Sequence, residues 1–583
     1  MRPGMEQREH WKLVFVLAVL VTAFALPRGL ALDRVVTPDE VNWLTTSANF
    51  YLALRQGDLA KTYQLEHPGV TTLWAGAGGF LWRYPAYVHE GPGQLIYSEQ
   101  EVGLILRSLV HEPLDLIIAG RVFILLAIIV VLAGAFLQAV PLFGLWPAAI
   151  GFLLIAFDPF HIAHSRILHQ DGMASSFVLL ALLAFLNFIY RGGHWHNLIL
   201  SGVAAGLAWL TKSPMLFLIP FMGLLLLVEL GRKQRLASRF EKESLQWGVK
   251  TLIVWGSVGL FVYVLLWPAM WVDPIYTLRR ALGGMLSYAV YGHTEAPLFF
   301  DGRIYTGDPG AHFYPITYLW RTTPVILLGL VFAVLALVIP QLRSLLHRQR
   351  GPLGMLLLFA GLFTVFMTVG AKKFDRYLLP IYPALDLVAG VGWVAAVTLI
   401  GKQQPQRWAR VAAPSILLLA FLGQSALTVS SSPYYFSYYN PMLGGTARAP
   451  EVMMVGWGEG LDQAAHFLNN QPGADPPQVM LGLWSGTFSY FFDGPIRWSN
   501  FAPGETTIQD WKDSDYCIIY INQWQRGRLP DELLDTLMKE EPALIVRLQG
   551  LDYAYVYDLK QIPPPDYLFA EEENAVENNA ASQ

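Results

Sequence analysis

Apolar stretches, each close to the length that crosses a hydrocarbon core, recur through the first 430 residues: 12–31, 117–140, 143–160, 173–190, 197–211, 214–230, 250–268, 323–340, 353–370, 377–400 and 411–430. Such blocks leave few folds open, because in lipid every backbone N–H and C=O must find its partner within the protein, and helices do this segment by segment. The chain reads as a polytopic α-helical membrane protein of about eleven spans, with 54% of its residues apolar and 14% charged. The formal net charge of −4 says nothing about nucleic acid, and no basic, aromatic-interleaved patch points to it, so no nucleic-acid partner is expected. A lone cysteine, Cys517, excludes a disulfide framework and a cysteine-rich metal site. The N-terminal run Trp11 to Leu26 lacks a clean small-residue cleavage site and reads as a retained signal anchor.

Orientation follows from the basic residues. Arg2 and Arg8 precede the first span, and Arg191 lies between two others. Arg232, Lys233, Arg235, Arg239 and Lys242 fill one connection, Arg343, Arg348 and Arg350 another, and Lys402, Arg407 and Arg410 a third. If the first helix runs from inside to outside, all these clusters fall in the cytoplasm, as the positive-inside rule requires. The N-terminus is then cytoplasmic and the C-terminus extracytoplasmic. Three long segments lie outside: about 32–116, about 269–322, and everything after Ser431.

The unusual polar residues collect on that outer side. The first loop carries Thr37-Pro38-Asp39-Glu40 and then Glu66-His67-Pro68, followed by Gly69 to Tyr87, a Trp- and Gly-rich run too broken for a span and suited to lying in the membrane interface. The turn after the third span holds Ser165-Arg166 with Asp171 five residues on. Lys212 sits at a hairpin tip, and Lys372-Lys373-Phe374-Asp375-Arg376-Tyr377 opens the tenth span. Cations on the outer side break the positive-inside pattern, and an anionic partner such as a lipid phosphate gives them a reason.

Together, Asp39-Glu40 after the first helix, Glu66-His67-Pro68, Ser165-Arg166 with Asp171, Leu210-Thr211-Lys212-Ser213-Pro214, and Arg376-Tyr377-Leu378-Leu379-Pro380-Ile381-Tyr382-Pro383 resemble the GT-C glycosyltransferases. The pattern is most similar to the protein O-mannosyltransferases and the aminoarabinose transferases that modify lipid A. It covers roughly residues 12 to 430. Each motif alone is weak; five in family order on one side are more specific. The resemblance implies inverting transfer of a sugar from a polyprenyl-phosphate donor to an extracytoplasmic protein, lipid or glycan acceptor.

The resemblance also distributes roles. Asp39 matches the family's base, against the alternative of a helix N-cap that Thr37 serves equally well. Glu40 is a second catalytic candidate, or a first-turn partner of the helix dipole. Asp171 is the third, with Arg166 either a substrate contact or its salt partner. Glu66 and His67 stand where relatives carry a charged residue before a proline pair, although here Gly69 replaces the second proline. Lys212, Lys373, Arg376 and Tyr377 are candidate donor-phosphate contacts; the bland readings are snorkelling cations and an aromatic belt. In some relatives a loop His completes a divalent metal site, which makes Glu66 and His293 the candidate ligands, a short donor set. Arg121, one turn inside the second span, should pair within the bundle.

After residue 430 the chain changes character. Gly458 to Asn469 and Pro530 to Glu541 read as helices, and Gln478 to Leu483, Tyr516 to Asn522 and Tyr553 to Asp558 as short strands. This predicts a small extracytoplasmic α/β domain over 431–565 behind a GT-C-like catalytic domain over 1–430, and a disordered acidic tail over 566–583. The rival function is a multi-span lipid or glycolipid transporter. It should show repeated halves with broken helices at the midplane, whereas the polar residues here gather at one membrane face.

Overall fold

The computed structural model describes residues 3–570 apart from 66–67, 97–100, 238–241, 291–292, 294–295, 341, 347, 404–405, 474 and 483–484. Among the described residues eight helices are long and apolar enough to cross a membrane, or up to ten if each of two bent pairs is one span. In chain order the elements that matter are α1 (Pro3–Gly29), α2 (Pro38–Gln56), α3 (Val70–Arg83), α4 (Pro113–Phe143), α5 (Leu145–Ala156), α6 (Pro159–Ser165), α7 (Gln170–Tyr190), α8 (Trp195–Thr211), α9 (Leu218–Ala237), α10 (Lys242–Leu265), α11 (Pro274–Val290), α12 (Phe313–Arg321), α13 (Pro324–Val338), α14 (Arg350–Val369), α15 (Tyr382–Gln403) and α16 (Gln406–Ser430). Each expected span falls on helix, but the count drops below eleven for local reasons.

The expected span 143–160 is two helices bent by 65°. Asp158 ends the first by capping the second: its Oδ1 accepts from the backbone N–H of Phe160 (2.8 Å) and His161 (3.1 Å), and Pro159 supplies a preset φ at the first helical position. The expected span from 323 likewise starts behind a 115° bend, where Thr323 Oγ1 accepts from Ile326 N at 3.3 Å and Pro324 opens α13. The segment α8 is 17 residues long, a short span.

The run from Gly69 forms α3, which is not among the membrane-length helices and packs against α2 and α4 with Leu81 and Trp82 left exposed. Its glycines explain this. A Cβ on Gly79 would stand 2.9 Å from the Gly120 backbone nitrogen, so only small residues let α3 and α4 approach this closely. Buried most deeply is α7, with 94% of its apolar window inside the protein.

Beyond α16 a five-stranded sheet forms, ordered β4-β3-β5-β7-β6 behind the two-stranded hairpin β1 (Leu298–Phe300) and β2 (Arg303–Tyr305). The strands are β3 (Val479–Leu481), β4 (Ile496–Trp498), β5 (Tyr516–Tyr520), β6 (Leu544–Leu548) and β7 (Leu551–Asp558). Pairing is parallel for β3 with β4 and with β5, and antiparallel for β7 with β5 and with β6. Cys517 is fully buried on β5. Two edge strands, β4 and β6, add to the three that were expected. Residues 566–569, expected to be disordered, form a helical turn that buries Leu568; the acidic residues from 571 lie outside the described residues.

Candidate functional site

The site is assembled around the first turn of α2. Thr37 stands at the N-cap position in extended conformation, Pro38 opens the helix, and Gly57 ends it in the left-handed region at φ 74°. Asp39 is therefore a first-turn residue and not the cap. Glu40 points inward. Arg121 of α4 grips its carboxylate through Nε and Nη2, both at 2.7 Å, and the backbone N–H groups of Leu168 (2.7 Å) and Thr37 (3.0 Å) donate to the same carboxylate. Arg121 also donates to the carbonyls of Leu32 and Val35. Both side chains are buried. Glu40 thus ties three stretches of backbone together and offers no oxygen to a substrate.

Asp39 points the other way, onto the wall of a cavity of about 510 Å³ between the bundle and the sheet. His169 Nε2 donates to its Oδ2 at 3.2 Å, and Arg376 Nη2 reaches the same oxygen at 3.3 Å. The other ring nitrogen of His169, Nδ1, lies 3.4 Å from both the backbone nitrogen and the Oδ2 of Asp171, so the imidazole sits between the two carboxylates. Asp171 Oδ1 is held by the Lys212 ammonium, and its Oδ2 lies 3.7 Å from Arg376 Nε. Two carboxylates, an imidazole and two cations form one continuous chain, Asp39–His169–Asp171–Lys212, with Arg376 bridging both acids. Burial alone would raise the Asp39 carboxyl. Arg376, the hydrogen bond and charge of His169, and then Lys212 outweigh it and hold the group at about 2.

Aromatic groups hold the cations in place. Arg376 lies over Phe374 (4.3 Å to the ring centre) and Trp457 (4.6 Å), and Lys212 over Tyr377 (4.4 Å). The turn that projects Arg376 is itself locked, because Arg321 Nε donates to Asp375 Oδ2 at 2.8 Å while Asp375 Oδ1 accepts from the Arg376 backbone N–H at 2.8 Å. Trp457 arrives from the sheet on the loop Gly456-Trp457-Gly458-Glu459-Gly460. Gly458, at φ 111°, is pressed against the Val36 carbonyl, where a Cβ would collide. That contact seats the loop beside the residue preceding the α2 cap.

The structure thus brings Asp39, Asp171, Lys212, Arg376 and Tyr377 together, with Lys212 committed to Asp171 and outside the cavity lining. Several other candidates stand apart. Arg166 donates to the carbonyls of Pro433 (3.1 Å), Leu30 (2.5 Å) and Ala31 (2.5 Å) and lies over Tyr435, so it ties α1 to the segment after α16 and does not meet Asp171. Lys373 is buried against Asp308 and the Gly370 carbonyl; its neighbour Lys372 lines the cavity in its stead. Glu66 and His67 lie outside the described residues. His293 Nε2 accepts from the Lys373 backbone N–H at 3.0 Å, while its buried Nδ1 has no hydrogen-bond partner among the described residues. Among the described residues no three His, Cys, Asp or Glu side chains come together as a metal centre; the expected ligand Glu66 lies outside those residues, and no step is routed through a metal.

Missed in the sequence were His169, two residues before Asp171; the Arg321–Asp375 lock; and Trp457. The Gly-Trp-Gly-Glu-Gly run was the available signal for the last, since alternating glycines around one Trp mark a backbone pressed close to a neighbour.

A second concavity of about 400 Å³ opens beside Ser213, next in sequence to Lys212. Trp209, Leu216, Trp255, Leu260, Tyr263 and Leu282 are among its almost wholly apolar lining.

Residues 115–256 match the family model of dolichyl-phosphate-mannose-protein mannosyltransferases, a segment that contains Arg121, His169, Asp171 and Lys212. The resemblance read from the motifs is met there. No curated protein sequence matches the chain. Among solved structures the chain is similar to ArnT from Cupriavidus metallidurans in the apo state (14% identity, 96% of this chain and 100% of that chain, TM-score 0.49). It is also similar to the same protein bound to undecaprenyl phosphate (14%, 93% and 97%, 0.47). The archaeal oligosaccharyltransferase AglB from Archaeoglobus fulgidus, in complex with an inhibitory peptide and a dolichol-phosphate, gives 10% identity, 96% and 77% coverage, and a TM-score of 0.45.

Proposed function

We propose that this chain is an integral-membrane inverting glycosyltransferase that moves a sugar from a polyprenyl-phosphate donor to a hydroxyl- or phosphate-bearing acceptor on the extracytoplasmic side. One observation carries the reading: Asp39 is held ionised on the wall of a sugar-sized cavity, with a cation beside it and its partner contacts confined to one oxygen. His169 and Arg376 both reach Oδ2, which leaves Oδ1 for the incoming acceptor proton. Arg376 stands where it can stabilise a departing lipid phosphate without giving up a proton, as an inverting displacement needs. The apolar concavity beside Ser213 suits the polyprenyl chain, and Lys212, Tyr377 and Arg376 run from it to the cavity. Glu40 and Arg121 act as positioning residues: Glu40 binds the backbone N–H of Leu168, next to His169, while belonging to the same helical turn as Asp39. The match of 115–256 to a mannosyltransferase family supports the donor class.

The test is Asp39→Asn in purified, detergent-solubilised protein given undecaprenyl-phosphate-linked sugar and membrane-derived acceptors. Transfer should fall about 10²- to 10⁴-fold, the usual cost of losing a general base, with melting temperature and donor binding kept. Near-normal transfer per folded molecule refutes the assignment. Substrate movement across liposomes without transfer would mark a transporter.

A further inference from the structure

Most polar side chains on the wall of the Asp39 cavity are committed to the protein's own frame. Asp375 is taken by Arg321 at 2.8 Å, Glu459 accepts from the Tyr520 hydroxyl at 3.2 Å and from the Trp457 N–H, and the Asn522 amide donates to the Gly456 carbonyl at 2.9 Å. Asn42, Glu101 and His164 also line the cavity, and their side chains make no hydrogen bond or ion pair among the described residues.

The fold sets each of them in place. Asn42 lies one helical turn beyond Asp39 and Thr45 one turn further, so all three follow one side of α2. The Thr45 hydroxyl accepts from the backbone N–H of Val102 at 3.2 Å, which fixes Glu101 at the end of that row. Burial raises the Glu101 carboxyl. His164 comes from α6 and is 2% exposed, its ring set edge-on to Phe160 (4.8 Å between ring centres) and Phe436 (4.9 Å) and tilted against Trp457 at 5.8 Å. Its buried Nδ1 has no hydrogen-bond partner among the described residues. A buried polar atom left unbonded is costly, and a ligand that supplies the missing partner removes that cost.

A carboxylate only accepts hydrogen bonds, a carboxamide both donates and accepts, and a neutral imidazole donates from one nitrogen and accepts at the other. Hydroxyl groups, each a donor and an acceptor, match that mixed set. Trp457 and Trp498 on the same lining offer faces for the C–H side of a ring. An anionic ligand fits this stretch of wall poorly, because Asp39 and Glu101 both present carboxylates to it. We propose that Asn42, Glu101 and His164 hydrogen-bond the hydroxyls of a neutral sugar ring seated in the cavity while Asp39 acts, and so decide which sugar the site accepts. The proposal rests on the glycosyltransferase reading and deepens it. The ring is the transferred sugar or a sugar of the acceptor, and both present the same chemistry to these three side chains.

Titrations of the full-length protein in detergent, followed by tryptophan fluorescence, test it with mannose, glucose, galactose and N-acetylglucosamine as neutral probes and glucose 1-phosphate and glucosamine as charged ones. At least one neutral sugar should bind wild type, and more tightly than glucose 1-phosphate. Glu101→Ala should weaken that sugar about tenfold or more, the size of one hydrogen bond to a charged group, with Glu101→Gln falling between Glu101→Ala and wild type. His164→Phe keeps the ring contacts and removes the hydrogen bonds, so it should lose affinity several-fold at an unchanged melting temperature. No binding of any neutral sugar, or unaltered binding in both Glu101→Ala and His164→Phe, overturns the proposal. Glucosamine binding that is tighter than every neutral sugar and lost in Glu101→Ala overturns it as well, because the carboxylate then holds an ammonium. Undecaprenyl phosphate, bare and carrying the tightest-binding sugar, separates the two sources of the ring. Glu101→Ala weakens only the sugar-bearing lipid if the ring is the transferred sugar; it weakens the free sugar and neither lipid if the ring belongs to the acceptor. Failure of wild type to bind undecaprenyl phosphate sinks the donor reading instead, and the free-sugar titrations still report on the three side chains.

Discussion

Replacing Arg121 with Met tests whether a buried ion pair shapes the site from behind. The side chains of Glu40 and Arg121 are 0% and 2% exposed, and two hydrogen bonds of 2.7 Å join them. Removing the guanidinium leaves the Glu40 charge buried with only the N–H groups of Leu168 and Thr37 to stabilise it, and strands the carbonyls of Leu32 and Val35. Breaking one side of such a pair costs about 3–5 kcal/mol, far more than the 0–1 kcal/mol of a surface pair. The double variant Glu40→Gln/Arg121→Met removes the orphaned charge and keeps an amide oxygen for Leu168 and Thr37, so it should recover more than half of that loss. Activity should follow geometry: Glu40 couples the turn that carries Asp39 to the backbone beside His169, so Arg121→Met should lower kcat more than it raises donor KM. The assay is the fraction of monodisperse protein after a heating series, with single-turnover transfer on the surviving fraction. An Arg121→Met protein as stable and as active as wild type, or a double variant worse than the single one, would refute the reasoning.

Two further outcomes follow from the same cluster. Asp39 sits at about 2, below its ordinary value near 4, so its stabilising contribution is complete above pH 4 and is lost as pH falls through 2. Arg376 is the largest influence lowering it, opposed by burial, so in Arg376→Gln the acid limb of kcat/KM should move up; an unmoved limb would detach Arg376 from the base. Lys212→Gln strips the counter-charge from Asp171, whose side chain is 3% exposed, and should cost about 3–5 kcal/mol of stability, with Lys212→Gln/Asp171→Asn restoring most of it. Equal heat resistance of the two variants would show that Lys212 faces the lipid phosphate and not Asp171.

How far the sequence spoke depended on whether a feature is local. Apolar blocks announce spans by length alone, and Thr37-Pro38 announces the start of α2, so Asp39 could be set in a first helical turn near the membrane surface without knowing any neighbour. The break at Asp158-Pro159 was harder, because apolar residues continue through it and hide a capped bend inside what reads as one span. The run from Gly69 is legible as too broken for a span, but that its small residues admit α3 against α2 and α4 depends on neighbours the sequence does not name. The edge strand β4, three residues long, carries too few positions for an alternation signal.

Charges inside the bundle were legible as exceptions that need partners, but not as particular pairs. Arg121 was expected to pair within the bundle, and it does so with a residue 81 positions away; that residue, Glu40, stands beside Asp39 and looked equally catalytic. Two adjacent acids on one helical turn point about 100° apart, so one can face the cavity while the other faces the core, and only the packing of α4 against α2 decides which. The same reasoning separates Lys372 from Lys373 and Arg376 from Arg166. In each pair one cation lines the cavity while the other satisfies buried acceptors of the protein's own frame, and the test that tells them apart is which substitution changes turnover and which changes only stability.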